Sequence, residues 1–205
     1  MSGADDKNIT TESYRKNAKI VADKFDRFPP RVQDIERAVS LCGKTRPTIL
    51  EIGYGSGRDA KVIVEVAGKY IGIDVSPEMA EIARGAVPGA DFRVADVAEF
   101  DFPQGLDIVF AFASLLHSDR AELADVLRRL DKALNPSGVI MICMKHGEYV
   151  REVKNDAFGT RVFYLYTPAD IQSLLPSGYV MTWHEIETIR GQLWFTALFR
   201  KTIAE

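Results

Sequence analysis

The chain has 205 residues, of which 46% are hydrophobic and 27% are charged, and its formal net charge at pH 7 is -3. This composition is typical of one soluble globular domain and lacks the positive excess of proteins that bind polyanions, so we expect no nucleic-acid partner. The polar N-terminus lacks the apolar core of a signal peptide, and no apolar run approaches the ~20 residues of a membrane span. We therefore expect a cytoplasmic protein without membrane contact.

The first part of the chain, about residues 1–45, predicts a helical cap. Residues 1–10 are polar and predict an unstructured lead. Apolar residues over 14–25 then recur at helical spacing, and Pro29-Pro30 ends this predicted helix. A second amphipathic helix is predicted from about Arg31.

The remainder, about residues 46–205, predicts a doubly wound α/β core. Short apolar runs alternate with helical patterns as far as Lys145, as in βαβ units that build a parallel sheet. Two extended runs near the end, separated by Arg190-Gly191, predict an antiparallel closure. We therefore predict a single domain over residues 1–205, with a Rossmann-like seven-stranded sheet that is mostly parallel, an antiparallel C-terminal strand and a helical N-terminal cap.

Three glycines, Gly53, Gly55 and Gly57, alternate between the first predicted strand of the core and the next helix. Glycine loses more conformational entropy on folding than other residues, so the backbone here is expected to need an approach that a Cβ would obstruct. Ligands of open α/β sheets lie beyond such strand ends. The spacing does not fit a P-loop or a nucleophile elbow, and a dinucleotide fingerprint would need a glycine where Arg58 stands.

With these features the sequence resembles the class I S-adenosylmethionine-dependent methyltransferases over nearly the whole chain. The segment Glu51–Gly57 resembles their first motif, in which the backbone passes close to the methionine part of the cofactor. Asp74 matches the acidic residue that binds both ribose hydroxyls, a task that suits a carboxylate because it only accepts hydrogen bonds. Asp96 and Val97 match the turn that binds adenine.

Narrower motifs, GSGRDA, FASLLH and MKHGE, resemble a branch of small stand-alone bacterial and archaeal methyltransferases, often labelled tellurite-resistance-like. Tyr54 stands where cysteine is common in the family and could narrow the pocket. The resemblance implies that S-adenosylmethionine binds here and leaves as S-adenosylhomocysteine, held by Tyr14, Glu51, Gly53, Tyr54, Gly55, Ser56, Gly57, Asp74, Val75, Met79, Asp96, Val97 and Ala113.

Three polar residues near the motifs are candidates for chemistry. His117 is the candidate catalytic base, since imidazole can take a proton near neutral pH, although it could instead be a hydrogen-bonded residue at a helix start. Glu51 lies in an apolar strand and is costly unless paired, which favours a structural or ligand-orienting role. Arg58 could hold Glu51, cap the helix or contact a substrate carboxylate. His184 lacks the second histidine of a zinc motif, and we predict no metal site.

The predicted function is S-adenosylmethionine-dependent methyl transfer to a small-molecule acceptor. Lys145, Arg151 and Arg161 hint at an anionic acceptor, although charged loop residues are usually solvated. Two alternatives stay open: a cofactor-binding module without turnover, and a nicotinamide-dependent oxidoreductase, which Arg58 disfavours. The acceptor, the need for a general base and the oligomeric state are also open at this point.

Overall fold

Seven helices and nine strands make up the described part of the chain, residues 3–202, in the computed structural model. The helices are α1 (Gly3–Lys16), α2 (Ala18–Phe25), α3 (Val32–Cys42), α4 (Ala60–Val66), α5 (Pro77–Ala86), α6 (Arg120–Ala133) and α7 (Pro168–Leu174). The strands are β1 (Thr48–Ile52), β2 (Lys69–Asp74), β3 (Phe92–Val94), β4 (Leu106–Phe112), β5 (Leu134–Lys145), β6 (Val150–Asp156), β7 (Gly159–Leu165), β8 (Tyr179–Ile189) and β9 (Gln192–Lys201).

Seven of the strands form one sheet in the order β3-β2-β1-β4-β5-β9-β8. Strands β1 to β5 pair in parallel, and β9 pairs antiparallel with both β5 and β8. The central strand β4 is buried along its whole length, as expected for a parallel strand covered on both faces. The predicted fold class, a mostly parallel seven-stranded sheet with an antiparallel C-terminal strand, is confirmed.

Two apolar cores lie on the two faces of this sheet. Helices α3, α4 and α5 cover one face with side chains that include Ile35, Ile63 and Ala83. Helices α6 and α7 cover the other face with side chains that include Leu127 and Ile171. These five helices cover the faces of the sheet and not the edge at which the parallel strands have their carboxyl ends.

Helices α5 and α6 each begin at a side-chain N-cap. Ser76 accepts a hydrogen bond from the backbone N–H of Met79 at 3.2 Å, so it caps α5 as its sequence position predicts. Asp119 caps α6 by accepting from the N–H of Glu122 at 2.9 Å. The Glu122 carboxylate does not complete a capping box, because it is hydrogen-bonded to the ammonium group of Lys7 instead.

The predicted unstructured lead is wrong for residues 3–10, which belong to helix α1, while residues 1 and 2 lie outside the described part of the chain. Long-range contacts explain the difference. Asp6 is 1% exposed and accepts hydrogen bonds from Arg151 at 2.5 and 2.6 Å and from Tyr164 at 2.7 Å. Thr10 accepts from a backbone N–H of β7 at 2.9 Å. These partners lie about 150 positions away, so local composition gives no sign of them.

Strands β6 and β7 form a separate antiparallel hairpin against which α1 packs. Strand β6 lacks the apolar pattern of a buried strand, because its residues are mostly exposed and charged. The hairpin and α1 stand over the carboxyl edge of the main sheet, because the bridge from His146 to Tyr166 joins the end of β5 to the end of β7. Within residues 3–202, none of the helices is both long and apolar enough to cross a membrane.

Candidate active site

A cavity of about 740 Å³ opens at the carboxyl ends of the parallel strands, roofed by α1, α2 and the β6–β7 hairpin. It brings together most of the residues that the sequence singles out: Tyr14, Gly53, Tyr54, Gly55, Ser56, Asp74, Val75, Met79, Asp96, Val97, Ala113 and His117. Glu51 and Gly57, which were also predicted to bind a cofactor, are not among the residues that line it.

The three glycines of the loop after β1 all have a positive φ, and each lacks a side chain for a different reason. A Cβ on Gly53 would lie 2.4 Å from the Cβ of Ser114. A Cβ on Gly57 would lie 3.3 Å from the Cα of Ala83, so this glycine allows α5 to pack closely. A Cβ on Gly55 would meet nothing within 4 Å. Gly55 is therefore the loop glycine whose backbone a ligand can approach, and Gly57 has a packing role.

Asp74 ends β2 with its carboxylate on the cavity. One oxygen accepts from the backbone N–H of Gly55 and the other from that of Ser76, each at 3.0 Å. Burial raises the pKa of Asp74, although these backbone donors oppose the shift. A carboxylate has about four acceptor sites, so a ligand hydroxyl could still bind to each oxygen.

Asp96 follows β3 on the same cavity. Its Oδ1 accepts from the backbone N–H of Ala98 at 2.8 Å and from the ammonium group of Lys7. That ammonium group also reaches Glu122, so it ties α1 to two acidic residues at the cavity edge. No local sequence pattern marks Lys7, because its partners are 89 and 115 positions away.

Ala113 lies directly after β4, is exposed and lines the cavity with a left-handed φ of 55°. A positive φ costs an L-residue such as alanine free energy, and such strain is concentrated at functional sites. The backbone is fixed there by the bond from the N–H of Ala113 to the carbonyl of Cys143 at 2.9 Å. Met79 also lines the cavity and packs against Val21 and Ala22 of α2.

His117 ends a short 3-10 helix, Leu115–His117, and both of its ring nitrogens have partners. Nδ1 lies 2.6 Å from the carbonyl oxygen of Val162, and Nε2 lies 3.0 Å from the hydroxyl of Tyr14. A carbonyl only accepts, so Nδ1 carries the proton and Nε2 accepts from Tyr14. Burial lowers the pKa of His117 to about 4, so the ring is uncharged at neutral pH.

Glu51 and Tyr54 lie in the core. Glu51 is 2% exposed, and its carboxyl group accepts from the hydroxyl of Tyr70 at 2.5 Å. Burial raises the pKa of Glu51 to about 8, so it is mostly protonated at neutral pH. Tyr54 is 3% exposed, its ring lies 4.7 Å from that of Phe92, and its hydroxyl donates to the carbonyl of Arg93 at 3.3 Å. Its side chain therefore fills the core instead of narrowing the pocket.

Arg58 pairs with its neighbour Asp59, with Nη2 at 2.5 Å and Nε at 3.2 Å from the two carboxylate oxygens. Asp59 also accepts from the backbone N–H of Arg31 at 2.9 Å, which joins the start of α3 to the loop. Ser56 makes a similar link by donating to Asp26, at the end of α2. The loop is thus held by the N-terminal helices, a function of Asp26 and Arg31 that no sequence motif revealed.

No group of three or more His, Cys, Asp or Glu side chains is arranged to hold a metal ion within residues 3–202. Cys42 and Cys143 are unpaired thiols, and Cys143 is buried at the cavity wall. Burial raises the pKa of the Cys143 thiol, so it is protonated at neutral pH.

Comparison with known proteins agrees with this geometry. Residues 49–138 match the family model of the methyltransferase domain. Over 99 residues the chain is 36% identical to trans-aconitate 2-methyltransferases from several Escherichia coli strains, a match that spans 47% of this chain and 38% of those proteins. The aligned part of the chain thus spans about two fifths of the length of these relatives.

Solved structures extend the likeness to the whole fold. A 1,6-didemethyltoxoflavin-N1-methyltransferase from Burkholderia thailandensis, with bound 1,6-didemethyltoxoflavin and S-adenosylhomocysteine, is 17% identical, covers 99% of this chain and 92% of its own, and has a TM-score of 0.79. An S-adenosylmethionine-bound amino pentose methyltransferase from Micromonospora echinaspora is 16% identical, covers 89% of this chain and 96% of its own, and has a TM-score of 0.67. Residues 49–138 are therefore similar to a methyltransferase domain, and the chain has the fold of these two solved methyltransferases.

Proposed function

We propose that this protein binds S-adenosylmethionine in the cavity at the strand ends and transfers its methyl group to a small-molecule acceptor. The observation that carries the proposal is that Gly55, Asp74 and Asp96 line the same cavity as Tyr14 and His117. The first three follow successive strands of the parallel sheet, where ligands of this architecture bind. In this proposal Tyr14 and His117 lie where the methyl acceptor meets the cofactor.

The residues present fit this cofactor. A volume of about 740 Å³ is within the range of small-molecule sites and leaves space beside the cofactor. In our proposal the open backbone at Gly55 adjoins the methionine part, and Asp74 accepts from the ribose hydroxyls. Asp96 and the backbone of Val97 meet the adenine, with Met79 against its face. Tyr54 contributes only its backbone, and Val75, Ser56 and Ala113 complete the wall.

Binding, orientation and exclusion of water are the tasks left to the chain, because the cofactor supplies an activated methyl carbon. When bound, the cofactor would supply its methyl carbon to a lone pair of the acceptor, and the carbon–sulfur bond would break with its electrons left on sulfur. Positioning of the two reactants can contribute roughly 7–11 kcal/mol to such a step. The fixed roof of α1 and the β6–β7 hairpin supports this role.

His117 holds Tyr14 in place in this proposal and does not take a proton from the acceptor. Its Nε2 is already occupied by the Tyr14 hydroxyl, and its pKa of about 4 makes it a weak base at neutral pH. The arrangement favours an acceptor that already has an available lone pair at neutral pH. The small-molecule substrates named for the relatives, trans-aconitate and 1,6-didemethyltoxoflavin, support a small acceptor here as well.

Calorimetric titration with S-adenosylhomocysteine and, in parallel, with NAD tests the cofactor. We expect the first to bind and to raise the melting temperature, and the second to do neither. Binding of NAD alone would contradict the proposal and favour an oxidoreductase. Incubation with methyl-labelled cofactor and low-molecular-mass cell extract then tests turnover. Labelled small molecules are expected, and their absence would favour a binding module without turnover.

A further inference from the structure

Two buried cations lie on one wall of the cavity, around a single aromatic ring. Lys145, at the end of β5, is 7% exposed, and Arg161, on β7, is 6% exposed. The Lys145 ammonium nitrogen lies 3.9 Å from the centre of the Phe163 ring, and the Arg161 guanidinium carbon lies 5.4 Å from it. Removing two like charges from water is costly unless both are compensated.

The protein compensates these charges only in part. Nη2 of Arg161 lies 2.7 Å from both carboxylate oxygens of Asp156, but its buried Nε has no hydrogen-bond partner among the described residues. Lys145 reaches Glu152 at the longer distance of 3.4 Å, and that carboxylate is 44% exposed. Burial lowers the pKa of Lys145, with a further contribution from Arg161. A buried guanidinium N–H without an acceptor indicates a place for a ligand acceptor.

The surroundings favour a flat ligand. Phe158 and Phe163 both lie beside the Arg161 guanidinium, at 5.1 and 5.4 Å from its carbon, and Tyr14 lies 5.8 Å from it. The Phe163 ring is 4.8 Å from the ring of His117, so the two cations adjoin the Tyr14–His117 pair at the proposed transfer position. Aromatic walls with a few convergent polar groups are typical of small-molecule sites. Aromatic rings pack well by offset stacking against flat groups, which favours a planar ligand.

We propose that the methyl acceptor is a small planar carboxylate, and that Lys145 and Arg161 bind its carboxylate group. The proposal rests on the proposed function, since it names the acceptor of that same cavity. A carboxylate can accept from the free Nε of Arg161 and pair with Lys145, whose own acidic partner is 3.4 Å away and 44% exposed. The same cations explain why a neutral or cationic molecule would bind poorly here.

The test uses acceptors in a low-molecular-mass bacterial extract with methyl-labelled cofactor. The acceptor in the extract is expected to bind an anion exchanger at pH 7. Its labelling is expected to disappear after the extract's carboxylates are converted to amides with carbodiimide and methylamine. Activity in the unbound fraction, or activity that survives amidation, would overturn the proposal. If the protein binds S-adenosylhomocysteine in the same experiment, such a result leaves the proposed function intact. A failure to bind S-adenosylhomocysteine would instead remove the proposed function.

Substitutions of Lys145 and Arg161 then test whether these two residues bind the carboxylate of the acceptor. Arg161→Met and Lys145→Met are each expected to raise the KM for the purified acceptor by about 10- to 100-fold, the usual loss for one charge-assisted contact. The Kd for S-adenosylhomocysteine should change by less than about threefold, because the contacts of these two side chains are with Glu152, Asp156 and nearby aromatic rings and not with Asp74 or Asp96. Arg128→Met, at an exposed position on α6, is the matched control. An unchanged KM in Lys145→Met and in the milder Arg161→Lys would contradict the assignment even if Arg161→Met failed to fold.

Discussion

The hydroxyl of Tyr14 donates to Nε2 of His117 across 3.0 Å, and their ring planes meet at 72°. The two residues are 103 positions apart, so this bond joins α1 to the end of the 3-10 helix after β4. His117 is fixed on its other side by the Val162 carbonyl at 2.6 Å. The bond therefore links three elements: the cap, the core and the β6–β7 hairpin.

A double-mutant cycle measures this link. Tyr14→Phe and His117→Gln each remove one partner, and we expect a coupling energy of about 0.5–1.5 kcal/mol in the free energy of unfolding, as for a neutral hydrogen bond. Urea denaturation of the wild type, the single variants and the double variant gives this value. The control cycle pairs Tyr14→Phe with His184→Gln, an exposed position on β8. Additive effects in both cycles would show that the bond contributes nothing.

The glycine loop predicts an order of effects for alanine substitution. Gly53→Ala should destabilise most, by about 2–4 kcal/mol, since its Cβ would overlap Ser114 at a positive φ. Gly55→Ala should cost only about 1 kcal/mol of stability, from φ alone. It should nevertheless weaken S-adenosylhomocysteine binding more than Gly57→Ala, which disturbs packing on Ala83. Melting curves and calorimetry separate the two effects, and equal binding by all folded variants would contradict the proposed approach at Gly55.

Asp74→Asn tests the acceptor of the ribose hydroxyls. The amide keeps the size of the side chain but replaces one acceptor oxygen with a donor, so we expect binding of S-adenosylhomocysteine to weaken by about 10- to 100-fold. Calorimetry measures the change. Asp91→Asn is the matched control, because Asp91 is exposed and pairs with Arg93 outside the cavity. Binding that is unchanged in Asp74→Asn would place the ribose elsewhere.

The hydrogen bonds of Asp6 are expected to hold α1 against the β6–β7 hairpin. Hydrogen bonds from Arg151 lower the pKa of Asp6, so this contribution to stability is present above the pKa of the unfolded state and is lost only as the pH falls through the lowered value. Asp6→Asn should speed amide hydrogen exchange in α1 by at least about tenfold at pH 7, while the main sheet exchanges as before. Asp23→Asn, an exposed position on α2, is the control. Unchanged exchange in α1 would mean that other contacts hold it.

The main sheet could be predicted from the sequence because its signals are local. Buried apolar runs such as β4 and the Ser76 cap are set within a few residues, and the glycine loop has a distinctive spacing. These features predict that Asp74 and Asp96 lie at the ends of their strands, and both residues line the cavity there.

The roof of the cavity could not be predicted, because its determinants are long-range. Residues 3–10 are polar and become helical through Asp6, Lys7 and Thr10, whose partners lie 89 to 158 positions away. Arg151 was interpreted as a hint of an anionic acceptor, but its guanidinium is occupied by Asp6. Only the fold shows which cations are satisfied within the protein and which are left with an unpartnered donor.

Glu51 gives a prediction about pH. Burial raises the pKa of this carboxyl group from an ordinary value of 4.5 to about 8 in the folded protein. Between these values the folded state holds one proton more than the unfolded state, so the free energy of unfolding falls as the pH rises. Glu51→Gln removes the titration but keeps an acceptor for the Tyr70 hydroxyl. Relative to this variant, the wild type should lose about 1.4 kcal/mol of stability per pH unit in this window.

Urea denaturation of both proteins at pH 5.5, 6.5 and 7.5 measures this relative loss. All other titrating groups are shared, so their contributions cancel in the difference between the two proteins. Glu81→Gln, at an exposed position on α5, is the matched control for the substitution itself. A constant difference for Glu51→Gln over this range would mean that the Glu51 carboxylate is ionised in the folded protein. It would then have to be stabilised by a partner other than Tyr70, and the interpretation of Glu51 as a protonated core residue would be wrong.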